Sequence, residues 1–203
     1  MMEYVLASAS PRRRELLPRI LGSTPFRVQP AAGEEPDGTG LSPAETVQRI
    51  AAAKAGEVAA LCGKDAVVIA ADTLVYLDDK PLGQPRDTED AAEMLRNLSG
   101  RSNTVWSGIA VRKGDSLLTA AEATEVFFRP LEEEEIAAYV ASGEPMDKAG
   151  AYGIQGKASL FVSHLNGDYY TVVGFPLCRF SELIREFGIT LLPAKAQYDG
   201  GTI

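Results

Sequence analysis

The feature that most constrains the fold is an unbroken apolar run from Ala66 to Ala71. A run without polar alternation is typical of a strand that is buried on both faces, as in the sheets of α/β proteins. Asp72 and Thr73 follow the run directly. In open α/β sheets, ligands bind beyond the carboxyl ends of the strands, and a carboxylate is costly to bury without a partner or a task. We therefore predict a functional role for Asp72.

A second informative stretch lies near the N-terminus, where Tyr4 to Ala7 predicts a short strand and Pro11 suits the first position of a helix. Ser10 can cap that helix, which should end near Gly22. The first helical turn carries three arginines, Arg12 to Arg14, although exposed cations there oppose the helix dipole at a cost of about 0.3–1 kcal/mol each. A phosphate would offset this cost because the arginine fork matches its oxygens. The alternative is a solvated basic turn.

Composition restricts the partners that this chain can have. The 203 residues include 20 basic and 28 acidic side chains, a net charge of −8, so we expect no nucleic-acid partner and assign the arginines to a small anion. Cys62 and Cys178 lie far apart and His164 is the single histidine, which argues against a disulfide scaffold and against zinc. The sequence begins without the pattern of a signal peptide and contains no membrane-spanning run, so we expect a cytoplasmic protein without membrane contact.

Capping and turn signals divide the remaining chain into further elements. Helices are predicted over 42–62, 87–98 and 176–187, and the acidic run 132–135 suits the start of another. Strands are predicted over 26–29, 101–111 and 118–128. The pair Asn166-Gly167 predicts a final hairpin between strands 160–165 and 169–173.

Two charged groups outside these stretches are candidates for the same site. Glu34 and Glu35 lie in a loop rich in glycine and proline, and either could hold a hard cation such as Mg²⁺ if the loop faces the arginines. The alternative is a solvated acidic loop. Lys54 falls on the mostly apolar stripe of the predicted helix over 42–62. It either extends outward into solvent or meets the phosphates at the edge of a cleft.

The segment 143–156 is also informative because four of its fourteen residues are glycines. Glycine lets the backbone come close to a ligand, and Lys148 and Gln155 lie beside these glycines. A plain glycine loop is the alternative.

Five blocks, which together run in order from about residue 4 to 187, resemble the Maf family of nucleoside triphosphate pyrophosphatases. They are Ser8-Ala9-Ser10-Pro11-Arg12-Arg13-Arg14-Glu15-Leu16-Leu17, Ala71-Asp72-Thr73, Leu98-Ser99-Gly100-Arg101, Asp147-Lys148-Ala149-Gly150-Ala151-Tyr152-Gly153-Ile154-Gln155-Gly156 and Gly167-Asp168-Tyr169-Tyr170. The resemblance implies an α/β fold of the Maf/ITPase-like type, in which helices flank an elongated mixed β-sheet and two lobes surround a central cleft. It implies one catalytic domain over 1–189, with 190–203 left as a C-terminal tail, and a homodimer.

The same resemblance implies hydrolysis of a nucleoside triphosphate to the monophosphate and pyrophosphate with a divalent cation, Mg²⁺ or Mn²⁺. By position, Asp72 is similar to the proton acceptor of the family. The specificity positions are Arg12, Thr73 and Gln155. The phosphate-binding positions are Ser8, Ser10, Arg13, Lys54 and Lys148, and the metal positions are Glu35 and Asp72.

The run Ala151 to Gly156 resembles the branch of the family that acts on dTTP and UTP. A glutamine amide both donates and accepts hydrogen bonds, so Gln155 can read the edge of uracil or thymine, on which carbonyl groups flank an N–H. Two alternatives stay open: the same hydrolysis on a modified purine triphosphate such as 7-methyl-GTP, and a nucleotide-binding regulator that does not hydrolyse its ligand. One departure is Gln84, where the family usually carries a lysine, and Arg86 is a candidate substitute for the missing charge.

Overall fold

The computed structural model describes residues 2–192, which form one seven-stranded sheet flanked by six helices. The strands are β1 (Tyr4–Leu6), β2 (Phe26–Val28), β3 (Val67–Leu77), β4 (Lys80–Leu82), β5 (Ser102–Lys113), β6 (Ser116–Phe128) and β7 (Val162–Asn166). The helices are α1 (Pro11–Leu21), α2 (Pro43–Ala59), α3 (Thr88–Leu98), α4 (Glu133–Ala141), α5 (Tyr169–Val173) and α6 (Leu177–Arg185). Three short 3₁₀ turns, Glu144–Asp147, Ala149–Ala151 and Lys157–Leu160, follow α4.

The sheet is mixed, and its strand order is β2-β1-β3-β5-β6-β7, with β4 paired to β3. β1 runs parallel to both β2 and β3, whereas the other pairs are antiparallel. The predicted α/β class with a mixed sheet is confirmed. Among residues 2–192, no helix combines the length and the apolar character needed to cross a bilayer.

The central strand β3 is buried on both faces, as its apolar run predicts. On one face, Val68 and Ala70 pack with α2. On the other face, Val67, Ile69 and Ala71 pack with a cluster that includes residues of α1 and α6. Because side chains alternate along a strand, neighbouring residues of β3 face different helices. This alternation continues to Asp72 on the α2 side and Thr73 on the α1 side.

Helix α2 lies unusually close to the sheet at Gly108 of β5. A Cβ atom on residue 108 would lie 2.4 Å from the backbone carbonyl of Val47, so any larger residue would push α2 away. The start of α2 is fixed by a capping box, in which Glu45 N donates to Ser42 Oγ and Ser42 N donates to the Glu45 carboxylate. The helix that carries Lys54 is therefore held at a defined distance from β3.

The strands leave a gap beside the middle of β3. β1 pairs with β3 only up to Leu6 opposite Ile69, and β4 pairs with it only from Val75 onward. Residues 70–74 therefore have β5 on one side and, within the described residues, no strand on the other. Asp72 and Thr73 lie in this gap, where a ligand can approach the sheet from its edge.

The structure corrects three predictions about local structure. Asp72 does not lie beyond the carboxyl end of its strand: β3 runs through it to Leu77, and it is the neighbouring strand β1 that ends. Residues 169–173 form α5 instead of a hairpin strand, because Asp168 caps them by accepting a hydrogen bond from Thr171 N at 2.7 Å. The side chain of Ser10 occupies the N-cap position of α1 without making a capping bond.

Most of the predicted tail 190–203 lies outside the described residues.

Candidate functional site

A cleft opens at the gap beside β3, with a volume of about 730 Å³ when the solvent at its open mouth is included. Several residues singled out from the sequence line it, namely Ser10, Arg12, Arg13, Asp72, Thr73, Gln84, Asp147 and Lys148. Its apolar wall includes Val75, Val105, Ile154 and Tyr152. The cleft therefore joins the arginine turn of α1 to the acid of β3, which are about sixty residues apart in sequence.

Asp72 is held by Lys54 on one oxygen only. Lys54 Nζ donates to Asp72 Oδ1 at 2.7 Å, whereas Asp72 Oδ2 is buried and has no hydrogen-bond partner among the described residues. A buried carboxylate oxygen without a partner is costly, so this atom is arranged for something that the protein itself does not supply. Lys54 does not extend into solvent as one reading of the sequence allowed.

Glu35 completes this group of charges. Its carboxylate lies 2.6 Å from Lys54 Nζ, so the acidic loop lies beside the lysine that holds Asp72, although Glu35 itself does not line the cleft. The ammonium thus joins two carboxylates, and one of its three N–H groups is left for another acceptor. The Glu35 side chain is 55% exposed and that of Asp72 is 9% exposed, so Glu35 lies at the rim and Asp72 at the base.

Arg13 is fixed from three sides. Its Nε donates to Gly174 O at 2.9 Å, Nη1 to Ser8 Oγ at 3.1 Å and Nη2 to Thr73 Oγ1 at 3.0 Å. Three of its five N–H groups are used, and two stay available for an anion. Burial lowers the pKa of Arg13 to about 10 while Asp72 opposes this shift, so the guanidinium stays charged at neutral pH.

The other members of the N-terminal turn have separate positions. Arg12 lines the cleft, whereas Arg14 is exposed and does not. Ser8 is buried behind Arg13, where it also accepts a hydrogen bond from Ser10 N, and it does not line the cleft. Ser10 makes no capping bond and lines the cleft.

Lys148 forms the opposite wall. Its Nζ donates to Asp147 Oδ1 and to Glu144 O, both at 2.6 Å. The hydrogen bond to the Asp147 carboxylate lowers the pKa of that group. A Cβ on Gly153 would lie 2.7 Å from the Lys148 side chain, so the glycine makes room for it. The structural reason for a glycine at residue 153 is therefore this contact with the Lys148 side chain.

Gln155 does not line the cleft that contains Asp72. It is exposed and lines an adjoining depression of about 770 Å³. Arg12, Lys148 and Gly153 line both spaces, so they form the border between them. The predicted specificity residue and the predicted proton acceptor are thus neighbours across this border and do not share one cavity.

Counted together, the charges around the cleft have a small positive excess. The cations are Arg12, Arg13, Lys54 and Lys148, and the acids are Glu35, Asp72 and Asp147. In a protein with a net charge of −8, four cations against three acids make this a locally favourable place for an anion.

The residues present fit a divalent cation that is shared with a substrate. Asp72 Oδ2 has no partner, and Glu35 lies on the same ammonium. Mg²⁺ is usually held by one or two carboxylates together with waters and substrate phosphates. Within the described residues, no group of three or more histidine, cysteine, aspartate or glutamate side chains is arranged to hold a metal alone. A cation here would therefore need the oxygens of a bound phosphate.

Gln84 and its candidate substitute Arg86 have different surroundings. Gln84 lines the cleft, and its Nε2 donates to Asp147 O at 3.2 Å. Arg86 does not line the cleft, and its guanidinium is paired with Asp90 at 2.9 Å. The structure therefore does not bring Arg86 to the position of the missing charge.

Sequence reasoning missed the groups that support the site from inside the fold. Tyr152 lines the cleft while its buried hydroxyl donates to Asn103 Oδ1 at 2.8 Å. Ser107, which is fully buried, lies opposite Thr73 in the sheet and bonds to its hydroxyl. The available signal was a polar residue in the middle of an apolar strand, because such a residue needs a partner when it is buried.

Comparisons with known proteins identify relatives that match along nearly the whole chain. A dTTP/UTP pyrophosphatase of Pelotomaculum thermopropionicum is 50% identical over 194 residues, which cover 95% of this chain and 100% of the relative. A dTTP/UTP pyrophosphatase of Bacillus cytotoxicus is 46% identical over 187 residues, 92% of this chain and 96% of the relative. The structure of a HAM1 protein from Coxiella burnetii has a TM-score of 0.54 at 18% identity, covers 92% of this chain and 100% of that one, and so supports the fold.

The family model described as Maf-like protein matches residues 3–187, nearly the whole chain. This match and the long, closely similar relatives show that the chain belongs to the Maf family.

Proposed function

We propose that this chain is a nucleoside triphosphate pyrophosphatase that hydrolyses dTTP and UTP to the monophosphate and pyrophosphate. The observation that carries the proposal is the buried, unpartnered oxygen of Asp72 in a cleft that also presents the Arg13 guanidinium. Relatives at 46–50% identity that carry the name dTTP/UTP pyrophosphatase support the choice of substrates.

The arginine turn would bind the triphosphate. Arg13 has two free N–H groups, Arg12 lines the cleft beside it, and Lys148 lies on the far wall. Fixed cations of this kind stabilise the charge that develops on phosphoryl oxygens as the bond between the α and β phosphates breaks. Ser8 would act through Arg13, since it holds the guanidinium from behind.

Asp72 would accept a proton from the attacking water. Its Oδ1 is held by Lys54, which fixes the carboxylate, and its free Oδ2 is the atom that can take the proton. The same free oxygen could instead hold, together with Glu35, a divalent cation, Mg²⁺ or Mn²⁺, that would neutralise charge on the phosphates. The remaining N–H of Lys54 would donate to a phosphate oxygen.

Gln155 would read the base across the border formed by Arg12 and Lys148. Its exposed amide can pair with the carbonyl and N–H groups of uracil or thymine. Water competes for this exposed amide, so the discrimination that Gln155 supplies is of the size of one or two hydrogen bonds. The homodimer implied by the family and the cytoplasmic location expected from the sequence stay predictions.

A nucleotide panel with product analysis tests the function. The purified protein is incubated with UTP, dTTP, CTP, GTP and 7-methyl-GTP in Mg²⁺ or Mn²⁺, and mono- and diphosphates are separated by ion-exchange chromatography. We expect UMP and dTMP with one pyrophosphate each and the highest kcat/KM for these two substrates. Preference for 7-methyl-GTP would indicate the modified-purine alternative. Tight binding of UTP without any product would indicate the regulator.

A further inference from the structure

A chain of hydrogen bonds leads from the cleft into the core of the protein. Arg13 Nη2 donates to Thr73 Oγ1 at 3.0 Å, the Thr73 and Ser107 hydroxyl oxygens are 2.8 Å apart, and Ser107 Oγ donates to Thr171 O at 2.7 Å. Ser107 and Thr171 are completely buried. The chain thus connects the guanidinium at the surface of the cleft to the backbone of α5.

Counting protons fixes the direction of every bond in this chain. A hydroxyl has one proton, and that of Ser107 is given to the carbonyl of Thr171, which can only accept. In the bond between the two hydroxyls, Thr73 must therefore be the donor and Ser107 the acceptor. The lone pairs of Thr73 Oγ1 are then directed to Arg13, which can only donate.

We infer that Ser107 is a positioning residue for the reaction: it takes the Thr73 proton and so holds the Thr73 oxygen as an acceptor for Arg13. This inference rests on the proposed function, because it assigns Arg13 to the triphosphate. Without the Ser107 hydroxyl, Thr73 would lose its fixed acceptor and rotate or turn its proton toward Arg13, where two donors would face each other. Arg13 would then keep Ser8 and Gly174 O but lose the third bond that fixes its plane.

The sheet offers a matched control for a hydroxyl that only stabilises the fold. Thr124 of β6 is also fully buried, and its Oγ1 donates to Asp168 O at 2.8 Å, three residues before Thr171. It has no hydrogen bond to Thr73 or Arg13. Thr124→Val and Ser107→Ala therefore each remove one buried hydroxyl that supports the same segment, and only Ser107→Ala breaks the chain to Arg13.

The test compares these two variants in a double-mutant cycle with Arg13→Lys. Affinity for UTP is measured by calorimetry without metal, and kcat/KM is measured with Mg²⁺. We expect Ser107→Ala to weaken UTP binding and lower kcat/KM by about five- to tenfold, the size of one hydrogen bond. In the Arg13→Lys background, Ser107→Ala should lower UTP affinity and kcat/KM by less than about twofold, because the hydrogen bond from Arg13 to Thr73 is already absent. Thr124→Val should lower the Tm without changing UTP affinity.

A spectroscopic measurement tests the inference without substrate. Exchange of the Arg13 Nη2–H groups, which donate to Thr73 and are identified by their loss in Arg13→Lys, is measured at low temperature in ¹⁵N-labelled protein. We expect protection in the wild type and in Thr124→Val, and at least about fivefold faster exchange in Ser107→Ala. The inference would be overturned if Ser107→Ala reduced UTP affinity equally in the wild type and in Arg13→Lys. It would also be overturned if hydrogen exchange at Arg13 were unchanged in folded Ser107→Ala protein. If Ser107→Ala loses the protection of Arg13 that Thr124→Val keeps, but the wild type hydrolyses none of the nucleotides, the proposed function fails while the role of Ser107 in holding Arg13 stands.

Discussion

The backbone of Gly174 passes so close to Thr73 that a Cβ atom on residue 174 would lie 2.9 Å from Thr73 Oγ1. The same residue accepts the Arg13 Nε–H at its carbonyl oxygen and has a φ of +104°. Only glycine adopts such a conformation at low cost. The loop before α6 can therefore hold Arg13 because residue 174 has no side chain.

Gly174→Ala should damage both stability and substrate binding. We expect a loss of about 1–3 kcal/mol in the free energy of unfolding from backbone strain, and a rise in KM for UTP because Thr73 and Arg13 must move. Gly188→Ala is the control: its φ is +72° and nothing lies within 4 Å of an added Cβ. It should lower the Tm and leave KM unchanged. An unaltered KM in Gly174→Ala would show that the Arg13 position is unimportant.

Gln84→Lys should lower the KM for the triphosphate or leave it unchanged. Gln84 lines the cleft and is exposed, so a lysine there would add a positive charge near the phosphates with little effect on the fold. Asn97→Lys adds the same charge on the exposed side of α3 and should have no effect. Steady-state kinetics at fixed Mg²⁺ measure both. A clear rise in KM for Gln84→Lys alone would mean that the Gln84 amide has another task, such as its bond to Asp147 O.

Gln155→Ala should reduce the discrimination between bases more than it reduces the rate of UTP hydrolysis. The alanine removes an amide that can both donate and accept, so we expect the ratio of kcat/KM for UTP over CTP to fall by about tenfold or more, mainly through KM for UTP. The residue is exposed, and the Tm should not change. If the ratio of kcat/KM for UTP over CTP equalled that of the wild type, Gln155 would have no part in base recognition, and the depression that it lines would have no assigned role.

Glu35→Gln should raise the concentration of Mg²⁺ that hydrolysis requires. We expect the Mg²⁺ concentration for half-maximal hydrolysis to rise severalfold, because the amide binds Mg²⁺ more weakly than the carboxylate does. Its neighbour Glu34 is exposed and forms no ion pair with Lys54, so Glu34→Gln is the matched control. An equal response in the two variants would indicate a general effect of charge and would contradict the assignment of Glu35.

Local chemistry in the sequence predicted much of the fold. Ser42 and Asp87 are found as N-caps of α2 and α3, and the apolar run that begins at Ala66 lies in a strand buried on both faces. The hairpin at Asn166-Gly167 was wrong for a physical reason. β-branched residues from Thr171 to Val173 resemble a strand, but one side-chain bond from Asp168 was enough to start a helix there.

The parts of the site that the sequence did not predict depend on long-range contacts. Ser107 meets Thr73 only because β5 lies beside β3 in that register, and no local pattern determines the register. Likewise, the position of Gln155 in a separate depression follows from how the glycine-rich segment packs against Lys148 and Glu144. The resemblance identified the residue types, and the fold determined which of them lie together.

The most direct test is Asp72→Asn, with UTP binding and UTP hydrolysis measured on the same sample. The change keeps the shape of the side chain and removes the proton acceptor in the cleft that Arg13 also lines. We predict that hydrolysis falls by about 10²- to 10⁴-fold, the usual contribution of a general base, while metal-free UTP binding stays within about tenfold of the wild type. Hydrolysis at the wild-type rate in folded Asp72→Asn protein would contradict the assignment of Asp72 and the chemistry built on it.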